Sequence, residues 1–174
     1  NRGEIAVRII RACKELNINT VAIHSNVDTD AMHVKLANES ICVGSAQPNE
    51  SYLNIPSIIS AVNITGADAV HPGYGFLSEN DKFAKILSKH DVKFIGPSSN
   101  SILELGNKSN ALKLASDYNL PILGNKKSKN INNSYEAVKI ANEIGMPIVI
   151  KAAYGGGGKG CLLYTSPSPR DDLW

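Results

Sequence analysis

The chain has 174 residues, 43% of them apolar and 20% charged, with a formal net charge of +2 at pH 7. This balance suits a globular protein with an ordinary core and gives no footprint for nucleic acid, the densest basic cluster being Lys126-Lys127-Ser128-Lys129. There is no apolar run long enough to span a bilayer and no signal peptide, and Cys13, Cys42 and Cys161 lack metal spacing, so reduced, mostly buried thiols in a cytosolic protein are expected.

Taken in order, the first hundred residues alternate helix and strand. Gly3–Leu16 places Ile5, Ile9, Ala12 and Leu16 on one helical face, with Arg8 and Arg11 elsewhere. Thr20–His24 reads as a strand, Thr29–Ala37 as a short helix, and Ser40–Val43 as a second strand. Ile55–Ile64 is helical, Asp68–Val70 a strand, Glu79–Lys89 a helix and Lys93–Ile95 a strand. Short strands alternating with helices predict parallel βαβ units, hence an α/β fold with a doubly wound parallel sheet.

The pattern then changes. Ser98–Gly106 and Lys108–Tyr118 are consecutive helical segments, followed by a stretch rich in Asn, Lys and Ser. Ser134–Ile144 is a further amphipathic helix that leads into a β-branched strand, Pro147–Ile150. That strand delivers Lys151 to the loop Gly155-Gly156-Gly157-Gly158-Lys159-Gly160. Bare backbone amides can close around phosphate oxygens, and the two lysines add charge, so a nucleotide polyphosphate is the expected guest. A Walker A motif fails because it would need Gly at Ala153 and a hydroxyl at Gly160. The dinucleotide fingerprint is met trivially by the glycine run, without the helix that must follow it. The bland alternative is a flexible linker.

Both ends read as incomplete. No strand precedes Asn1-Arg2-Gly3, where a wound sheet would place a central one, and a Pro/Ser-rich segment without strand periodicity follows Gly160. The expected organisation is a wound domain over 1–105, the start of a second domain over 106–160, and an unrelated tail over 161–174.

Beyond the third strand, His71-Pro72-Gly73-Tyr74-Gly75-Phe76-Leu77-Ser78-Glu79-Asn80 occupies the carboxyl edge, where ligands bind in such sheets. Ser78 and Asp81 resemble a capping box that would start the next helix at Ser78. The alternative is a well-packed turn with a buried aromatic pair. Lys108 at a helix start and the i,i+4 pair Arg11–Glu15 have surface roles as their plain reading, and Arg2 and Glu4 either orient a loop or are solvated.

Together, Asn1–Ala6, Arg8–Leu16, Ser51–Pro56, His71–Asn80, Phe94–Pro97 and Lys151–Gly160 resemble the N-terminal part of biotin carboxylase, in order and nearly continuously over residues 1–160. The resemblance implies a pre-ATP-grasp domain followed by the beginning of an ATP-grasp domain. It implies carboxylation of carrier-bound biotin by ATP and bicarbonate through carboxyphosphate, with Mg²⁺ as cofactor. Lys108 and Lys151 would then contact ATP phosphates, and Gly155, Gly156, Gly157, Gly158, Lys159 and Gly160 would form the lid loop. Tyr74 and Gly75 would lie beside the biotin ureido ring, and Arg11 and Glu15 would sit at a homodimer interface. Implied partners are a biotin carboxyl carrier and a carboxyltransferase. The cytoplasm is the expected location, or a mitochondrion or plastid if the source is eukaryotic.

The family's metal ligands, bicarbonate-binding residues and base lie downstream of position 174, so no catalytic or metal-ligating residue is assigned here and the fragment alone is expected to be inactive. The sequence departs from the family at Asn107, where Asp is usual, at Gly124-Asn125-Lys126, and after Gly160. The alternatives are another ATP-grasp ligase of the carbamoyl-phosphate synthetase type, which the Tyr74 loop argues against, and a non-catalytic or non-functional truncated product.

Overall fold

The computed structural model describes residues 1–122, 131, 133–151 and 161–164 of the chain, which divides into compact units over Asn1–Leu103 and Glu104–Trp174. The first unit opens with α1, Gly3–Glu15, whose Ala6 and Ile10 are buried one helical turn apart. The expected stripe is therefore displaced: Ile5 and Ile9 are half-buried on its flank, while Ala12 and Leu16 face solvent. Four apolar residues on a face do not choose which edge of that face meets the core; the packing partner does.

Strand β1, Val21–Ser25, pairs in parallel with β2, Glu39–Gly44, from Val21 opposite Glu39 to a register shift between His24 and Ser25. Between them Asn26–Asp28 winds into a 3-10 turn, and the expected helix shortens to α2, Met32–Leu36. That turn lets the Asp28 carboxylate accept a hydrogen bond from Ser25 Oγ at 2.8 Å. Helix α3, Ile55–Thr65, packs on this pair. Its start is fixed by Asn54, whose side chain accepts from the Ser57 amide at 3.1 Å, and its end by Gly66 in the left-handed conformation.

Strand β3, Ala69–Val70, runs parallel to β4, Lys93–Phe94, across helix α4, Asp81–Lys89. The parallel strands and helical crossovers of the expected α/β fold are present, as two separate two-stranded ladders. The capping-box reading at Ser78 needs correction. Asn80 caps α4 by accepting from the Phe83 amide at 2.8 Å, and Ser78 N donates instead to Gly75 O at 2.9 Å, closing a turn. The later start sets Phe83, Ala84 and Leu87 on the buried face of α4. Ile58, Val62, Leu77, Phe83, Leu87 and Val92 form the core, with Phe83 edge-on to Phe94 at 6.2 Å between centroids.

The thiols are less buried than expected: Cys13 is half-buried and Cys42 is exposed. Cys42 lies on the outward face of β2, where alternation sends neighbouring Val43 inward to 5% exposure.

Helix α5, Ser99–Gly106, leads into the second unit, which contains α6, Lys108–Asp117, and α7, Ser134–Ile144. Here β5, Ile148–Lys151, pairs antiparallel with β6, Cys161–Tyr164. The segment after Gly160 therefore does begin with a returning strand, contrary to the sequence reading. Its four residues are too short to display a period of two, and the pairing with β5, Lys151 opposite Cys161, defines the strand.

Candidate functional site

The loop after β3 is held open by backbone geometry that its sequence permits. Gly73 and Gly75 have φ of +70° and +63°, and Phe76 follows at +44°, a region that an aromatic residue seldom enters. A Cβ at Gly73 would stand 2.8 Å from the Asn1 side-chain nitrogen, so glycine is also needed there for close approach. The Asn1 amide reaches across this gap and donates to Pro72 O at 3.0 Å and to Tyr74 O. His71 Nδ1 accepts from the Gly73 amide at 3.0 Å, so this histidine shapes the turn. Pro72 and Leu77 are buried at either end, while Tyr74 between them is 63% exposed. The result is a loop with one exposed aromatic ring flanked by glycine backbone.

Beneath the loop lies a polar and aromatic cluster that sequence reasoning missed. Phe76 stacks on Tyr52, with ring centroids 5.5 Å apart and planes only 6° from parallel. The Tyr52 hydroxyl donates to Asp28 Oδ2 at 2.6 Å and accepts from the Ser25 amide at 3.0 Å. Arg2 Nη1 donates to the same Asp28 oxygen at 3.2 Å, and its guanidinium lies 5.2 Å from the Tyr52 ring centroid and 6.0 Å from that of Phe76. The hydroxyl of Tyr52, then those of Ser25 and the Arg2 guanidinium, hold the Asp28 carboxyl below its ordinary 3.8 against an opposing burial effect. Burial, followed by the Asp28 hydrogen bond, pushes the Tyr52 phenol from 10.0 up to about 12. Arg2, Ser25, Asp28, Tyr52 and Phe76 are spread over 75 residues of sequence; Arg2, Tyr52 and Phe76 stood in segments that the sequence marked, but nothing in their spacing joined them to Ser25 and Asp28.

In the second unit, Lys108 is the half-buried first residue of α6. Asn107 caps that helix, its Oδ1 accepting from the Ser109 and Asn110 amides at 2.9 and 3.1 Å. The Asp-to-Asn departure therefore keeps a capping side chain in place. Lys151 is the last residue of β5. Gly155, Gly156, Gly157, Gly158, Lys159 and Gly160 lie outside the described residues. Arg11 and Glu15 are both exposed on α1, and among the described residues no ion pair joins them. No group of three His, Cys, Asp or Glu side chains is gathered among the described residues. No helix among them is long and apolar enough to cross a membrane.

Parallel strands joined by helices, with a glycine-opened loop at a carboxyl edge, define an α/β protein of the wound type. Residues 1–102 match the family described as biotin carboxylase, N-terminal domain, and residues 107–171 match the ATP-binding domain of the carbamoyl-phosphate synthase L chain. The chain belongs to the biotin carboxylase family. It is 51% identical over 160 residues to biotin carboxylase 1 of Bacillus subtilis, covering 92% of this chain and 35% of that protein. A biotin carboxylase–β,γ-ATP complex from Campylobacter jejuni superposes with a TM-score of 0.90 at 44% identity, over 95% of this chain and 37% of the other. The biotin carboxylase domain dimer of Hydrogenobacter thermophilus 2-oxoglutarate carboxylase, solved with MgADP, ADP and bicarbonate, gives 0.88 at 41% identity, over 95% and 36%. The chain thus spans little more than a third of the length of these three relatives.

Proposed function

We propose that this chain forms the N-terminal third of a biotin carboxylase, a ligase that carboxylates carrier-bound biotin with bicarbonate at the expense of ATP. The observation that carries the reading is the match of residues 1–102 to the biotin carboxylase N-terminal domain, which includes the loop that exposes Tyr74. A carbamoyl-phosphate synthase accounts for the second match alone and leaves the first unit unexplained.

In this reading, a bicarbonate oxygen attacks the γ-phosphorus of ATP and ADP leaves; carboxyphosphate then splits into CO2 and inorganic phosphate, and the biotin ureido nitrogen bonds to the CO2 carbon as its proton passes to a base, the released phosphate being one at hand. The amines of Lys108 and Lys151 neutralise the phosphates before and during transfer, and the glycine run with Lys159 closes over them to exclude water. Lys108 heads a helix, so the helix dipole adds to its charge. Tyr74 and the Gly75 backbone border the ureido ring, which is neutral and bonds through its carbonyl and N–H groups. Arg11 and Glu15 contribute to a homodimer, and the carrier and a carboxyltransferase are the partners. The enzyme works in the cytoplasm, or in a mitochondrion or plastid of a eukaryotic source, and residues 1–174 alone lack turnover.

The test uses the full-length protein. Lys108→Met and Lys151→Met are each expected to weaken ATP binding by calorimetry about 10- to 100-fold, as the loss of one charge-assisted phosphate contact implies. Wild-type protein should cleave ATP in a bicarbonate-dependent manner that biotin stimulates. Unchanged ATP affinity in the double variant would overturn the assignment of the lysines.

A further inference from the structure

We propose that Arg2, Asp28 and Tyr52 are positioning residues that hold the Tyr74–Gly75 backbone in the conformation that receives the ureido ring. The inference rests on the reading of that loop as the biotin-side edge of the site. Two consecutive residues grip the loop. Asn1 ties Pro72 O and Tyr74 O together. Arg2 lies over the rings of the Tyr52–Phe76 stack, its centre 5.2 and 6.0 Å from their centroids.

Phe76 is where the grip acts. Its φ of +44° is unfavourable for an aromatic residue and needs surrounding structure to hold it. The near-parallel stack on Tyr52 supplies that hold, and Tyr52 is itself immobile at 2% exposure with its hydroxyl bound on both sides. Asp28 Oδ2 collects Arg2, Ser25 and Tyr52, and so holds the guanidinium beside the rings. A lysine at position 2 would keep the charge but lose the rigid planar fork of the guanidinium. The cluster acts through Phe76 and the adjacent Gly75.

Two measurements test the clamp. The first is amide hydrogen exchange on the full-length protein. In Arg2→Met and Asp28→Asn the Gly73 and Ser78 amides should exchange about tenfold faster while those of α4 stay as in wild type, the signature of local rather than global opening. Arg2→Lys should fall between. Unchanged loop exchange, or equal acceleration in α4, overturns the proposal. The second is steady-state kinetics with free d-biotin on the full-length protein. Arg2→Met should raise the KM for biotin about tenfold, leave the KM for ATP unchanged, and leave biotin-independent ATP cleavage at the wild-type rate. A parallel rise in both KM values overturns the assignment. A wild-type protein without biotin-stimulated turnover overturns the biotin reading instead, and the exchange measurement then decides the clamp.

Discussion

Replacing Tyr52 by Phe deletes one oxygen from a fully buried position and leaves the ring stack in place. That oxygen donates to the Asp28 carboxylate at 2.6 Å and satisfies the Ser25 amide at 3.0 Å. A hydrogen bond to a charged group contributes about 1.5–3 kcal/mol, and an orphaned buried N–H costs roughly 1–3 kcal/mol; since both belong to one network, the net loss is about 2–4 kcal/mol rather than their sum. Ser25 is wholly buried, so no water replaces the missing acceptor without rearrangement. For a unit of this size the loss corresponds to a fall of about 10–20 °C in Tm.

The loss should also depend on pH. Asp28 titrates below its ordinary 3.8, with the Tyr52 hydrogen bond as the foremost cause. A depressed carboxyl contributes stability above its unfolded value and loses it as pH falls through the folded one, so the gap between wild type and variant narrows below about pH 4. At the alkaline end the sign reverses. Tyr52 titrates near 12 rather than 10.0, so wild type loses stability as pH rises through that window and the Phe variant does not. Urea unfolding followed by far-UV circular dichroism at neutral pH, and again at about pH 3, measures each part. A difference below about 0.5 kcal/mol at pH 7, or one that does not change down to about pH 3, would refute the network as described.

Gly44→Ala should be among the most damaging changes in the first unit, costing about 3 kcal/mol or more: a Cβ there would run into the Glu50 carbonyl oxygen, and φ is +150°. Thermal unfolding decides it; a loss under about 1 kcal/mol would mean that the backbone at Glu50 yields. His33 is 1% exposed, its Nε2 lies 3.3 Å from Ile23 O, and burial holds its pKa below 6.5. A histidine kept neutral by the fold destabilises as pH falls through its unfolded value, so stability should decline from neutrality to about pH 5, and His33→Gln should flatten that slope. Equal slopes in wild type and variant would remove His33 as the cause.

The sequence by itself determined the strand and helix alternation of the first unit, the glycine positions of the loop after β3, and the family. These are local properties: a period of 2 or 3.6, a Cβ that is absent, a run of residue types in order. Helix starts were legible only in part, because Ser78 and Asn80 both suit a cap, and the need to aim Phe83 and Leu87 inward selected Asn80. The face of α1 that packs, the 3-10 turn at Asn26–Asp28 and the strand Cys161–Tyr164 were decided by partners distant in sequence. So was the cluster beneath the loop. Asp28 and Tyr52 are 24 residues apart with no spacing that marks them, and only the tertiary fold brings carboxylate, phenol and guanidinium within hydrogen-bond reach.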